Sequence, residues 1–480
     1  MNVQSHLFVL AYLPAVVLLW RLLNRRAGRG ARVFLLCAGL LFCGWGSPWS
    51  LLVLCGEGAV SFLLGRAMLR PGAPRRLLLT VGAAVLLAVL AFFKYTGFFL
   101  SFTPLEGTFS PPAGLMPLGL SFVTFQQLFW LRDCYFGEAG RESALDYACC
   151  ITFFATVTCG PITRVGELAP QMRSPRALDW QDMAAGLYCF ALGLAKKVLV
   201  ASVFANGANF GYANAGALSS VDSALTILCY TFQIYFDFSG YCDMAAGMAR
   251  MMGIDLPVNF NSPYQALSVK EFWGRWHITL SRFFRSCVYI PLGGNRRGMA
   301  VTCRNIMIIF LLSGLWHGAG WGFILWGGLH GGAMVMQRLW GKRKFLPKPL
   351  CWLLTFGFVN FAWVFFRAES LGQAKALLGD LLLGGLSLPS VEFAAALPLE
   401  AVGQGLTVLQ QVLAPGGTVL AYWLPLLAIP IGFALLACKN PLVQAQTMRF
   451  TGARLVLSVA CLVISLLFFS GVDTFIYANF

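Results

Sequence analysis

Charge is what this 480-residue sequence has least of. Asp, Glu, Lys and Arg together make 11% of it, where a soluble domain carries about a quarter. Acidic residues number 19 and histidines four. So few potential ligands leave little room for a structural metal, and no Cys-x-x-Cys spacing occurs among the 15 cysteines. Most of these, such as Cys37, Cys55, Cys229 and Cys461, lie inside apolar runs and read as small core hydrophobes rather than a disulfide framework. Serine elbow, phosphate-binding and dinucleotide fingerprints are missing in any fitting context, so covalent serine chemistry has no support. No stretch is long and polar enough to enclose a soluble core of its own.

What the chain has instead is apolar length. Hydrophobic residues make up 58% and the mean hydropathy is +0.72. A spanning helix needs about 20 mainly apolar residues. Such runs recur at Leu7–Leu23, Leu51–Met68, Leu77–Leu100, Ala184–Phe204, Leu353–Phe366 and Leu455–Phe469, and the whole pattern suggests ten to twelve membrane segments, some short or broken. The expected fold is an all-α polytopic integral membrane protein forming a single domain over residues 1–480. Within it, 1–100 holds N-terminal membrane helices and 378–417 an outer loop with short helices.

The net charge of +16 would suggest nucleic acid on a soluble protein. Here the positive-inside rule is the simpler cause, and no nucleic-acid partner is expected. Basic clusters at Arg21–Arg32, Arg66–Arg76 and Lys342–Lys348 separate apolar runs and are assigned to the cytoplasm. The first run has its positive charges after it, the reverse of a signal peptide, so the N-terminus is expected to face outward and stay attached.

His317, in Leu312-Ser-Gly-Leu-Trp-His-Gly-Ala-Gly-Trp321, is the most informative residue. If its helix starts near Asn305 on the inner side, the ring lies roughly 18 Å along it, near mid-membrane. An ionisable group there is costly and marks function by default, and a neutral imidazole suits proton removal from a hydroxyl. A core histidine hydrogen-bonded between helices is the competing reading. His277 shares a helical face with Ser281 and Arg285 at i, i+4 and i+8, which by itself reads as an amphipathic interfacial helix with snorkelling arginines. His330, among glycines, reads as packing or support. Asp237 and Asp243 could orient a histidine or satisfy a helix end. Arg164 could pair with either of them or meet phosphate. Lys196 and Lys197 read as an inner boundary attractive to an anionic donor.

Several motifs then resemble one family. Tyr235-Phe-Asp-Phe-Ser-Gly-Tyr-Cys-Asp243, Asn259-Phe-Asn261, Glu271-Phe-Trp, Arg275-Trp-His277, Tyr289-Ile-Pro-Leu-Gly-Gly-Asn-Arg296, Gly314-Leu-Trp-His-Gly-Ala319 and Leu325-Trp-Gly-Gly-Leu-His330 are similar to those of the membrane-bound O-acyltransferases, in the bacterial branch that serves alginate biosynthesis. Coverage runs from about 117 to 367. The resemblance implies a central funnel across the membrane, His317 as the essential histidine and His277 as a second active-site histidine. It implies transfer of an acyl group, here acetyl, from a cytoplasmic thioester to hydroxyls of an exported cell-surface polysaccharide. The donor is expected to be acetyl-CoA or an acyl-carrier thioester, with no tightly bound cofactor and no metal.

In this reading His317 acts as base, His277 positions or polarises the thioester, and Arg275, Arg282 and Arg285 hold donor phosphates. Trp276, Ser281, Trp316, Asp237, Asp243, His330 and Arg164 complete the surroundings. Expected partners are the bilayer and an extracytoplasmic acetyltransferase or polysaccharide-export protein, in a bacterial cytoplasmic membrane. One departure stands out: Arg285-Ser286-Cys287 occupies a place where relatives carry Arg-Asp-Tyr. A membrane transporter of a lipid-linked sugar or acyl group is the alternative, since broken helices also serve transport. No inverted repeat favours it.

Overall fold

A computed structural model describes residues 1–24, 28–103, 116–140, 142–177, 179–341, 346–400, 402–405, 419–445 and 451–469. Arg25, Arg26, Lys342, Arg343, Lys344 and much of the expected outer loop beyond 405 fall outside them. All regular elements among the described residues are helical.

Five helices are long and apolar enough to cross a membrane: Pro48–Met68, Arg75–Leu100, Trp180–Ala213, Met299–His317 and Lys348–Arg367. Phe8–Asn24, Trp423–Ala437 and Gly452–Leu467 are shorter apolar helices. Among the described residues, five long and three shorter apolar helices stand against the ten to twelve segments, some short or broken, expected from the sequence. Two further helices are largely buried and are not among those spans: Leu120–Phe136, which is only 17 residues long, and Ser220–Met251, which is long but rich in polar side chains. They form the inner layer.

Local chemistry starts these helices where the sequence allows. Ser47 accepts the Ser50 N–H with Pro48 in the first turn, and Ser219 does the same for Asp222. Ser143 and Asp146 form a reciprocal capping box. Each device satisfies backbone donors that a helix start leaves unpaired.

The 32-residue Ser220–Met251 helix, about 48 Å long at 1.5 Å per residue, is the central post. It packs against Trp180–Ala195, Ser202–Ala213 and Lys348–Arg367. Glycine permits a close crossing with the first of these, because a Cβ on Gly240 would stand 2.6 Å from the Gly193 carbonyl oxygen. At that crossing a π-helical turn, Lys196–Ala201, aims two ammonium groups at the post. Lys196 pairs with Asp243 at 2.7 Å and Lys197 pairs with Asp237. These lysines are therefore buried or half-buried partners of carboxylates rather than an open inner boundary.

Candidate active site

His317 ends the Met299–His317 helix, and Gly318 and Gly320 are extended before Trp321–Trp340 turns back against it. The two arms touch closely because both contact points are glycine. A Cβ on Gly314 would lie 2.3 Å from the Phe323 carbonyl oxygen, and one on Gly327 would lie 2.4 Å from that of Phe310. The helix begins at Met299, six residues before the start assumed from sequence. The exposed Arg304 marks where its apolar part begins, so His317 lies roughly 20 Å beyond that charge.

A helix end leaves its last carbonyls without intrahelical donors. Here the Arg75–Leu100 helix supplies them. Tyr95 donates its hydroxyl to Leu315 O at 2.7 Å, and Lys94 donates to Trp316 O. The ammonium also stands 5.5 Å from the Trp316 ring. A cation suits the negative end of the helix dipole. Neither residue was singled out from sequence, although a lone lysine inside the apolar run Leu77–Leu100 is the kind of signal that marks function.

His277 is not on the helix expected for it. Val269–Arg275 ends at Trp276, His277 adopts a left-handed φ of 43°, and Ile278–Phe284 starts afresh. The break dissolves the shared face: His277 is wholly buried, Ser281 is half-buried and Arg285 is exposed. The interfacial-helix reading fails with it, since the ring points inward among Phe238, Trp316 and Phe122, with centroids 4.8, 6.1 and 6.4 Å away. His317 packs against the same tryptophan, 4.8 Å from it, and 5.0–5.2 Å from Phe366 and Trp326. Two imidazoles thus share one aromatic chamber with Trp316 against both. At 0% and 2% exposure they are closed over, so entry of any substrate requires these rings to move.

The remaining candidates divide. His330 is buried and accepts the Trp273 indole N–H at 3.2 Å, on the Trp326 side of the chamber. Trp276 is buried against Phe260, Phe272 and Trp363. Ser281 donates to Trp273 O at 3.4 Å. Asp237 and Asp243 face lysines, as above. Arg164 pairs with Asp133 and, at 2.7 Å, with Glu138, not with either of those aspartates. Arg275 reaches Glu271 at 2.7 Å, and Arg282 reaches Glu167 at 2.7 and 3.0 Å. Among the three arginines assigned to donor phosphates, only Arg285 has a side chain that makes no hydrogen bond or ion pair among the described residues, its backbone alone being bonded. Arg282 and Glu167 border a surface cavity of about 270 Å³ with Gln171 and Asp255, apart from the histidine chamber. Among the described residues no cluster of His, Cys, Asp and Glu could hold a metal ion.

The model of the MBOAT, membrane-bound O-acyltransferase family, matches residues 79–371, a span that contains both histidines and the Lys94–Tyr95 cap. The chain belongs to that family. The membrane-bound O-acyltransferase match continues in whole proteins. A Helicobacter pylori protein named "Peptidoglycan O-acetyltransferase" is 38% identical over 99% of this chain and 97% of its own length. A Pseudomonas aeruginosa protein named "Probable alginate O-acetylase AlgI" is 36% identical over 77% of this chain and 73% of its own. A Bacillus subtilis protein named "Teichoic acid D-alanyltransferase" is 30% identical over 54% and 71%. The chain is therefore a multi-pass membrane O-acyltransferase.

Proposed function

We propose that this membrane-bound O-acyltransferase takes an acetyl group from a cytoplasmic thioester, acetyl-CoA or an acyl-carrier thioester, and passes it toward hydroxyls of an extracytoplasmic polysaccharide. The bacterial cytoplasmic membrane is its place of action, and a secreted acetyltransferase or export protein is the expected recipient where transfer is not direct. The observation that carries this reading is the pair of buried imidazoles against Trp316, one of them at the broken end of a spanning helix. A peptidoglycan acceptor is favoured over alginate, because similarity to the relative named for peptidoglycan extends along 99% of the chain rather than 77%.

His317 acts as general base on the attacking hydroxyl. The oxygen attacks the thioester carbonyl, the carbon–sulfur bond breaks, and the proton held by His317 passes to the departing thiolate. No proton is gained or lost overall. The aromatic chamber excludes water, which would otherwise hydrolyse the thioester. Lys94 and Tyr95 hold the helix end that carries the base.

Purified protein reconstituted in liposomes with acetyl-CoA and a soluble peptidoglycan fragment tests this. Release of free thiol together with ester-linked acetate on the glycan is the expected result. Movement of a lipid-linked sugar or an intact acyl carrier across the bilayer without loss of the acyl group would favour transport instead.

A further inference from the structure

One heavily hydrogen-bonded side chain beside His277 plays no part in the proposed chemistry. Asn259 is 2% exposed and clamps the turn at His277 by backbone and side chain together. Its carbonyl oxygen accepts the Ile278 N–H at 3.0 Å. Its side-chain oxygen accepts the Thr279 N–H at 3.2 Å and the Thr279 hydroxyl at 2.9 Å. That hydroxyl is free to donate because its own lone pair receives the Ile162 N–H at 3.0 Å. The third neighbour of the same Asn259 oxygen is His277 Nδ1, at 3.2 Å.

The tautomer follows from this geometry. A backbone N–H can only donate, so the atom facing Thr279 is the amide oxygen, and an oxygen can only accept. His277 Nδ1 must therefore carry the proton, and in the neutral ring Nε2 is left as a bare lone pair. Nε2 is buried and has no hydrogen-bond partner among the described residues. The left-handed φ of 43° at His277 is costly for a residue with a Cβ, and the Asn259 bonds to Ile278 and Thr279 hold that conformation in place.

We propose that Asn259 is a positioning residue that fixes His277 as the Nδ1–H tautomer, so that Nε2 meets the substrate as a hydrogen-bond acceptor. This rests on the reading of His277 as an active-site histidine and sharpens it. A ring in that state cannot polarise a thioester by donating to its oxygen. It instead accepts from an N–H or O–H of a bound substrate, such as a donor amide or the acceptor hydroxyl. His317 is the titratable group beside it, while Phe122, Phe238 and Trp316 supply the rest of its surroundings.

The test uses the full-length purified protein and acetyl-CoA, with kcat/KM measured across pH. Asn259→Asp keeps an oxygen for Thr279 and His277 but adds a charge that stabilises the imidazolium, so the acid limb of the profile should move up by about one pH unit. Asn259→Ala removes the tautomer lock and should lower kcat/KM at least tenfold. If turnover does not need an unprotonated His277 Nε2, the Asn259→Asp limb stays where it was, and that result overturns the inference even if Asn259→Ala does not fold. His277→Ala run alongside separates the two levels. An inactive His277→Ala with an unmoved Asn259→Asp limb sinks only the role of Asn259, whereas full turnover by His277→Ala removes His277, and this inference with it.

Discussion

Removing the ammonium of Lys196 should destabilise the protein far more than removing the whole pair. Lys196 and Asp243 meet at 2.7 Å, with side chains 17% and 2% exposed. At an effective dielectric of about 20 their attraction is roughly 6 kcal/mol, of the same order as the several kcal/mol that each ion loses on leaving water. The pair therefore contributes little net stability, but one member left alone is a buried, uncompensated charge. Lys196→Met should cost about 3–5 kcal/mol. Asp243→Asn should cost less, because the new amide still accepts from Lys196. The double variant Lys196→Met/Asp243→Asn should regain most of the loss.

Thermal unfolding of the four proteins in one detergent, analysed as a double-mutant cycle, measures the coupling. A coupling within about 0.5 kcal/mol of zero would refute the reasoning. So would an Asp243→Asn protein with unchanged stability and abolished thioester turnover, since it would return Asp243 to the chemistry.

Gly314→Ala should wedge apart the hairpin that carries His317, because the added methyl would sit 2.3 Å from the Phe323 carbonyl oxygen; a lowered melting temperature and at least tenfold weaker turnover are expected, while Gly332→Ala, with open space around it, should leave both near wild type. The cluster at Glu138 sets a pH window. Hydrogen bonds from Arg132 and Arg164 hold its carboxyl down at about 2, against an ordinary 4.5. A depressed carboxylate contributes stability that is complete above its unfolded value and lost as pH falls toward the folded one. Glu138→Gln should therefore lower the melting temperature by a constant amount between pH 6 and 8, with the gap narrowing only below about pH 4.5.

The membrane helices were legible because an apolar run of spanning length needs no partner to be recognised. Leu51–Met68 and Leu77–Leu100 fall inside observed helices almost unchanged. His317 was legible because its flanking glycines and apolar approach are written within ten residues. The break at His277 was not, since nothing in Arg275-Trp-His277 announces a left-handed residue that is neither glycine nor asparagine. Helical spacing carried the reading through it. Ion pairing was equally hidden. Lys94 caps Trp316 from 222 residues away and Arg164 reaches Asp133 across 31, and such partners depend on which helices touch, which periodicity does not encode. The π-turn at Lys196–Ala201 rotates both lysines toward the post, where regular helical spacing gave no reason to look for carboxylates.

The central claim is that His317 removes the proton from the attacking hydroxyl, and single-turnover thioester consumption by purified His317→Ala tests it most directly. With circular dichroism matching wild type, its rate with acceptor present should fall by about 10²–10⁴-fold. A rate within threefold of wild type would remove His317 from the reaction.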